Sequence, residues 1–401
     1  MATIVQKYGG SSVADVARIQ QVAARIAATA AAGHRVVAVV SAMGKTTDQL
    51  MGLAQEVSSQ PDRRELDMLL TAGERIAMAL VAMAVRALGV PATSLTGSQC
   101  GILTTDTPGG ARIVEVRPFR VQDALDAGQV VIVAGFQGVS WRKEVTTLGR
   151  GGSDTTAVAL AAALGADCEI YSDVAGVYSA DPRQVPDAWQ LPELGHDETL
   201  ALARAGAKVL AADAVAMARL HGIALYARST QGGAQTVVRL DPPAGRPWLT
   251  GVAQRPHCVL LQFTADADLH EQVEELCEAA VQTPIVWLAA SQAVLVLARD
   301  VADSVDPAFE RLIDALQLAI AHRLQRRVEG TLVSVVGPAV GREPGLLRQF
   351  RTVATETLDT PDVLTLQHGL ALSCVCAPAD AAALVRALHA ALLPAGGPHG
   401  S

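Results

Sequence analysis

Over the first 230 residues or so, strand-like segments alternate with segments whose apolar residues recur at helical spacing. The pattern predicts short strands at residues 3–8, 92–95 and 130–134, and a continuous apolar strand at residues 35–40. Between them, apolar residues recur at helical spacing over residues 13–32 and 62–88. An alternation of buried strands and helices predicts an α/β fold with a mostly parallel sheet and helices on both faces.

The pattern changes after residues 241–247, whose sequence DPPAGRP is typical of a linker. Beyond it the order strand, helix, strand, strand, helix occurs twice, each time over about 70 residues, as in ferredoxin-like modules. The predicted elements lie at residues 258–264, 269–281, 285–289, 293–298, 307 onward, 332–336, 344–358, 363–367, 370–375 and 379–393. The predicted domains are residues 1–240, a linker 241–257, modules 258–325 and 326–395, and a tail 396–401.

Charge and composition exclude several classes of protein. A formal net charge of −8 and an aromatic content of 3% argue against a nucleic-acid partner, which calls for basic and stacking surfaces. No apolar run approaches the ~18 residues of a membrane helix, and the first residues form a strand rather than a signal peptide, so we expect a cytoplasmic protein. Six cysteines without a CxxC pair indicate no disulfide framework, and the histidines show no metal-ligand spacing.

A glycine-rich stretch, residues 148–163 (LGRGGSDTTAVALAAA), is the strongest local signal. Gly149, Gly151 and Gly152 allow sharp bends, and Asp154 is interpreted as the N-cap of the helix that follows. With the strand at residues 130–134 before it, the stretch predicts a phosphate cradle at a helix N-terminus. It matches neither the Walker A nor the GxGxxG pattern, and a tight turn with a capped helix stays an alternative.

Polar, glycine-containing turns also follow several of the predicted strands. They lie at residues 7–10, 41–47, 135–138 and 171–173. In a parallel α/β sheet, ligands bind beyond the carboxyl ends of the strands. The sequence therefore predicts a site at this edge of the sheet.

Five of these segments match one known family in order and in spacing. They are residues 7–13 (KYGGSSV), 40–44 (VSAMG), 71–75 (TAGER), 147–156 (TLGRGGSDTT) and 171–183 (YSDVAGVYSADPR). Over roughly residues 1–230 the chain resembles the aspartate kinases of the amino-acid kinase family. The C-terminal part resembles, much less strongly, the paired ACT domains of that family.

The resemblance implies a fold and an activity. The fold is a three-layer α/β amino-acid-kinase domain with a mostly parallel central sheet, followed by two ferredoxin-like, ACT-type α+β modules. The activity is phosphoryl transfer from MgATP to the side-chain carboxylate of L-aspartate, which gives 4-phospho-L-aspartate. The implied cofactors are ATP and Mg²⁺, with the ion held mainly by ATP phosphates. Because an isolated module would expose an edge strand, we expect a homodimer or higher oligomer.

The resemblance also implies roles for particular residues. Lys7 would neutralise the transferring phosphoryl group, Asp154 would orient the catalytic lysines, and Lys208, predicted to open a helix, would reach the ATP phosphates. Glu74 would hold the amino group and Arg150 a carboxylate of the substrate. The implied substrate-binding set is Ser41, Thr46, Glu74, Arg150, Gly151, Gly152 and Ser153. The implied nucleotide-binding set is Lys7, Tyr8, Gly9, Gly10, Ser172, Asp173, Tyr178, Ser179, Ala180, Asp181, Pro182, Arg183 and Lys208.

The chemistry of these residue types agrees with the implied reaction. A carboxylate nucleophile has a reference pKa of about 4 and needs no general base. The reaction needs positioning and positive charge where negative charge spreads in the transition state. Two alternatives stay open: a kinase for another amino-acid carboxylate, and a sensor that binds amino acid or nucleotide without turnover.

One departure from the family concerns regulation. The family's first ACT module carries an Asp-x-Pro-Gly turn where effector amino acids bind. Residues 264–269 of this chain (TADADL) contain neither proline nor glycine. We therefore expect feedback inhibition by lysine or threonine to be weak or absent.

Overall fold

The computed structural model of the chain describes residues 2–149, 151–241, 248–280, 284–288, 291–299 and 307–393. The chain divides into two compact units. The first comprises Met1–Val177, Leu191–Thr199 and Val209–Pro242, and the second Tyr178–Gln190, Leu200–Lys208 and Pro243–Ser401. The domain limits expected from the sequence stay a prediction, and residues 242–247 of the linker and the tail lie outside the described residues.

The first unit contains twelve described strands in two sheets. They are β1 (Thr3–Tyr8), β2 (Arg35–Val40), β3 (Ala92–Leu95), β4 (Ile102–Thr104), β5 (Ile113–Val116), β6 (Val130–Ala134), β7 (Gln137–Ser140), β8 (Val145–Thr147), β9 (Asp167–Ser172), β10 (Glu193–Gly195), β11 (Leu225–Ser229) and β12 (Thr236–Arg239). The larger sheet has the order β10-β12-β11-β9-β1-β2-β6-β3. All its neighbouring strands are parallel except β11 and β12, which confirms the predicted sheet type.

Helices cover both faces of this sheet. They are α1 (Val16–Ala31), α2 (Thr46–Val57), α3 (Arg63–Ala87), α4 (Phe119–Asp126), α5 (Gly152–Leu164), α6 (His196–Arg204, in the second unit from Leu200 on) and α7 (Ala212–His221). One core joins apolar residues of α1 and α3 to alternate residues of β2 and β6, whereas α5 contacts β1, β2 and β9 and packs on α7. The three-layer architecture is thereby confirmed.

The smaller sheet, β5-β4-β7-β8, changes one expectation. The glycine-rich stretch follows β8 and not the buried strand β6, because the hairpin of β7 and β8 lies between them. The N-cap of α5 is Gly151, with φ of +70°, and Asp154 lies inside the first turn. The interpretation of Asp154 as the cap is therefore wrong, and its carboxylate is available for another partner.

Helix α3 is long and apolar, although charged residues interrupt its apolar runs. Over an 18-residue window its mean hydropathy reaches 1.7, which by length and composition alone would suit a membrane span. Half of that window is buried inside the protein, and the helix carries the buried carboxylates Asp67 and Glu74. These properties are those of a helix in the core of a folded domain.

The second unit is built on one antiparallel sheet. Its described elements are β13 (Gly251–Thr264), β14 (Val286–Leu288), β15 (Gln292–Ala298), β16 (Leu324–Val336), β17 (Leu366–His368), β18 (Ala371–Cys376), α8 (Ala267–Ala279), α9 (Pro307–Ile320), α10 (Leu346–Leu358) and α11 (Ala381–Leu392). The strand order is β14-β15-β13-β16-β18-β17. Both strand-helix-strand-strand-helix modules are present, and they share a sheet because β13 and β16 are longer than predicted and pair along both modules.

Each helix pair of this unit covers its own core. Phe263 and Phe309 lie in the core under α8 and α9, and Phe350 and Leu384 in the core of α10 and α11. The latter core, named here the second core, also receives Ala180 and Val185 from the segment Tyr178–Gln190. This segment is held further by Ser179.

Ser179 makes a buried polar contact with the last helix. Its Oγ lies 3.0 Å from Nε2 of His389 and accepts a hydrogen bond from the backbone N–H of Trp189 at 3.1 Å. Burial lowers the pKa of His389, so the ring is neutral near pH 7 and can accept the serine proton. The segment Tyr178–Gln190 is therefore part of the second core through apolar and polar contacts alike.

Candidate active site

An ion pair lies at the carboxyl end of β1. Nζ of Lys7 is 2.6 Å from Oδ1 of Asp154, and the two side chains are only 13% and 10% exposed. Asp154 lies in the first turn of α5, where the helix dipole favours a negative charge. Because a buried charge without a partner is costly, the pair holds the Lys7 ammonium in one place.

The turn after β1 leaves space beside this ammonium. A Cβ atom on Gly10 would lie 2.8 Å from the carbonyl oxygen of Ala42, and one on Gly9 would lie 3.6 Å from Nζ of Lys7. The short 3₁₀ turn Gly10–Val13 follows, and the buried hydroxyl of Ser12 has no hydrogen-bond partner among the described residues. An unpaired hydroxyl and an ammonium group beside a glycine turn together suit an anionic ligand such as phosphate.

Glu74 supplies the complementary charge. Its carboxylate is 3% exposed, and Oε1 accepts a hydrogen bond from the backbone N–H of Ala42 at 3.1 Å. Oε2 is buried and has no partner within the described ranges. Burial raises the pKa of Glu74 to about 7. A ligand that brings a positively charged donor would satisfy the free oxygen and favour the ionised carboxylate.

Glycines bring the start of α5 against its neighbours. A Cβ atom on Gly151 would lie 2.4 Å from Cβ of Ala211, and one on Gly135 would lie 2.7 Å from Oγ of Ser153. Gly152 is buried and its Cβ position meets Phe136 at 2.9 Å. These close approaches place Ser153 beside the turn after β6. Arg150, predicted to bind a carboxylate, lies outside the described residues.

Phe136 marks backbone strain next to this loop. Its φ of +67° is unusual for a bulky residue and costs of order 1–3 kcal/mol. Oγ1 of Thr156 accepts the Phe136 N–H at 3.1 Å, and Leu148 donates its N–H to the Phe136 carbonyl at 2.9 Å. The turn after β6 and the beginning of the glycine-rich loop are thus fixed to each other.

Of the predicted residues around the first two strands, two use their side chains in the fold and a third bonds through its backbone. Tyr8 is fully buried, donates its hydroxyl to Gln6 and stacks on Tyr171, so only its backbone lies at the turn. Thr46 begins α2 and donates its hydroxyl to the carbonyl of Met43 at 2.6 Å. Ser41 is half-buried, and its backbone N–H bonds to the carbonyl of Tyr8.

The turn after β9 holds Ser172 and Asp173 in the first unit. The Ser172 hydroxyl bonds to both the N–H and the carbonyl of Val174, which closes a local turn, and Asp173 is exposed. Because β9 pairs directly with β1, this turn lies beside the turn of Gly9. The first unit thus brings together Lys7, Gly9, Gly10, Asp154 and Ser172 at one edge of the sheet.

The remaining predicted nucleotide-binding residues belong to the second unit. Tyr178 pairs with Gln190 across an isolated bridge, Ser179 and Ala180 are buried, and Pro182 is exposed.

Asp181 lies in a group of charges in the same unit. The Arg183 side chain, with Nη2 2.7 Å from Oδ2, and the nearby charge of Lys208 hold the pKa of Asp181 below its usual range. Lys208 is exposed in the bend between α6 and α7. Because α7 begins at Ala212, the prediction that Lys208 opens a helix is wrong.

Asp67 is a buried polar residue that the motifs did not include. It is 1% exposed and accepts hydrogen bonds from Gly109 and Thr147. Burial raises its pKa in spite of these bonds. The only sequence signal was its position seven residues before Glu74, which places both carboxylates on one face of a helix.

No cluster of three or more histidine, cysteine, aspartate or glutamate side chains suited to a metal ion occurs in the part of the chain that the structure describes.

Comparison with known proteins identifies the family of this chain. The model of the amino acid kinase family matches residues 2–228, and the chain therefore belongs to that family. Among curated relatives, the aspartokinase of Thermus thermophilus is 39% identical over 98% of both chains. The resemblance to aspartate kinases, based on five motifs, is thereby confirmed.

Two further matches agree with this assignment. The aspartokinase of Mycobacterium tuberculosis is 59% identical over 259 residues, which cover 63% of this chain and 62% of that protein. The chain thus spans less than two thirds of the length of that relative. Among solved structures, E. coli aspartokinase III in complex with aspartate and ADP, in the R-state, superposes with a TM-score of 0.83. At 23% identity, covering 98% of this chain and 100% of that one, it supports the fold alone.

Proposed function

We propose that the protein is an aspartate kinase that transfers the γ-phosphoryl group of MgATP to the side-chain carboxylate of L-aspartate, giving 4-phospho-L-aspartate and ADP. The observation that carries the proposal is the charge arrangement of the first unit. The Lys7 ammonium, fixed by Asp154, lies beside a glycine turn, and the buried carboxylate of Glu74 in α3 bonds to the turn after β2 and keeps one oxygen without a partner among the described residues. Full-length similarity to the Thermus thermophilus aspartokinase supports it.

Each residue type matches one need of this reaction. Lys7 would offset the negative charge that develops on the transferring phosphoryl group, and the backbone around Gly9 and Gly10 would bind phosphate oxygens. Glu74 would accept the substrate ammonium through Oε2, while Arg150 and Ser153 would bind the substrate carboxylate. No side chain need act as a base, since the attacking carboxylate is already ionised.

Nucleotide and metal fit the same arrangement. Gly9 places no side chain beside Nζ of Lys7, and this ammonium together with the unpaired Ser12 hydroxyl suits phosphate oxygens. We propose that Asp181, Arg183 and Lys208 contribute to nucleotide binding. When bound, Mg²⁺ would neutralise phosphate charge, with its ligands mainly from ATP.

We further propose that the enzyme is cytoplasmic and forms a homodimer or higher oligomer through its ACT-like modules. Strands β14 and β17 end the described six-stranded sheet, and their free edges suit pairing with another copy. Light scattering at several concentrations would report the mass, and a monomer throughout would contradict the oligomer.

The proposed activity is tested by trapping the acyl phosphate with hydroxylamine. We expect aspartyl hydroxamate only when both L-aspartate and MgATP are present. A larger yield with glutamate or N-acetylglutamate would support a kinase for another carboxylate. Binding of aspartate without hydroxamate, in a protein that also leaves ATP intact, would support the sensor.

We expect lysine and threonine together, at millimolar concentration, to leave more than half of the activity. Asp266 lies where the family binds effectors, and its carboxylate already accepts the N–H of Leu269 and pairs with Arg323 at 2.7 Å. The assay is initial velocity at subsaturating aspartate, with valine as the control amino acid. Inhibition of tenfold or more would contradict the prediction.

A further inference from the structure

Helix α3 carries two buried carboxylates on one face. Asp67 and Glu74 are seven residues apart, which is close to two helical turns and about 10 Å along the axis. Glu74 bonds to the backbone after β2, and Asp67 bonds to a different part of the first unit. One rigid element therefore connects two separate segments.

The partners of Asp67 are all hydrogen-bond donors. Oδ1 accepts from the hydroxyl of Thr147 at 2.7 Å and from the N–H of Gly109 at 3.1 Å. Oδ2 accepts from the N–H of Thr147 at 3.1 Å and from the same Gly109 N–H at 3.1 Å. A carboxylate, which only accepts, matches this set, whereas an amide would turn a donor towards donors.

Thr147 is the last residue of β8, directly before the glycine-rich loop. The Thr147 carbonyl accepts the N–H of Ala111, while its N–H and hydroxyl donate to Asp67. Leu148, the next residue, bonds to the carbonyl of Phe136. Asp67 therefore fixes the point from which the loop leads to Ser153 at the start of α5.

A second contact ties the same hairpin to α3. The buried amide of Gln137, at the start of β7, donates to the carbonyl of Thr71 at 3.3 Å. Arg75 donates in turn to the Gln137 amide oxygen at 3.4 Å. Hydrogen bonds from α3, the helix that carries Glu74, thus hold both strands of the β7–β8 hairpin.

We propose that Asp67 is a positioning residue that sets the affinity for the amino-acid substrate. It holds the beginning of the glycine-rich loop at a fixed distance from Glu74, so that the group binding the substrate ammonium and the loop binding its carboxylate match the length of one amino acid. The inference rests on the proposed function, and it assigns a role to a side chain that does not touch the substrate.

The test is Asp67→Asn in the full chain. We expect KM for aspartate to rise about 10-fold or more, as is typical when a buried bond to a charged acceptor is lost and a binding group moves. KM for MgATP should stay within about twofold, because the turn of Gly9 is held by other contacts.

A matched pair of variants at Thr147 distinguishes a change in substrate affinity from a folding defect. Thr147→Val removes the hydroxyl donor and should raise KM for aspartate in the same direction, while Thr147→Ser keeps the donor and should restore it. Asp62→Ala removes the N-cap of the same helix, whose carboxylate bonds to the N–H groups of Arg64 and Glu65. It should lower Tm without changing either KM.

The outcomes separate the inference from the function. If the wild type makes aspartyl hydroxamate but Asp67→Asn and Thr147→Val change only Tm, Asp67 has a structural role and the inference is overturned. Equal rises in both KM values would overturn it as well. A wild type without activity on aspartate would overturn the function and the inference together.

Discussion

Replacing Lys7 by alanine is expected to lower kcat by at least ~10²-fold, the order found when one donor to transition-state charge is removed. Lys7 is the ammonium that the first unit holds in place, through its 2.6 Å contact with Asp154. The measurement is hydroxamate formation at saturating aspartate and MgATP, so that weaker binding does not mask the change in kcat.

Two further variants test whether the loss of kcat is specific to the Lys7 ammonium. Lys143→Asn removes a charge from the exposed turn between β7 and β8 and should leave kcat unchanged. Asp154→Asn should lower kcat less than Lys7→Ala, because the ammonium stays but is no longer fixed. A loss of less than threefold in Lys7→Ala would remove Lys7 from the mechanism.

Replacing Glu74 by glutamine is expected to lower kcat/KM for aspartate by about 10²-fold, since a bond between a buried carboxylate and an ammonium becomes a neutral one. In the wild type, kcat/KM for aspartate should also depend on pH, because the Glu74 carboxyl titrates. The pKa of Glu74 is raised to about 7, so the carboxyl is largely protonated below that pH and attracts the ammonium weakly. We expect kcat/KM for aspartate to rise between about pH 6 and 8.

The glutamine variant is the control for that pH dependence. A glutamine side chain does not titrate, so its kcat/KM for aspartate should be low and nearly flat over the same range. If the variant keeps the slope of the wild type, the titrating group is not Glu74. Aspartate saturation should meanwhile lower the pKa of Glu74, and kcat should therefore vary less with pH than kcat/KM.

The elements with a strong period were predictable from sequence. Strands β2 and β6 match their predicted bounds because they are continuous apolar runs, and α3 matches within a residue at each end because Asp62 caps it. The smaller sheet was not predicted, since its strands are three or four residues long and mix polar with apolar positions. Such strands exist through pairing with distant strands, which a local pattern does not contain.

The site was predictable where residues act through local backbone. Gly10 and Gly151 were found because a turn or a close approach needs glycine, and the structure gives each its crowded neighbour. Asp67 was missed because its partner Thr147 lies 80 residues away. The interpretation of Asp154 as a cap was wrong, because a first-turn acid suggests a cap in the local pattern, whereas the packing of α5 on β1 places Lys7 beside it.

The contacts of Ser179 and its neighbours decide how the polypeptide can be shortened. Ala180 and Val185 fill the second core with Phe350 and Leu384, although they precede residue 248 and those partners follow it. An expression plasmid that stops near residue 240 would leave these apolar side chains facing water, and the imidazole of His389 would be missing from Ser179. Such a truncated product would tend to aggregate, and co-expression of the remaining C-terminal part would be the way to recover it.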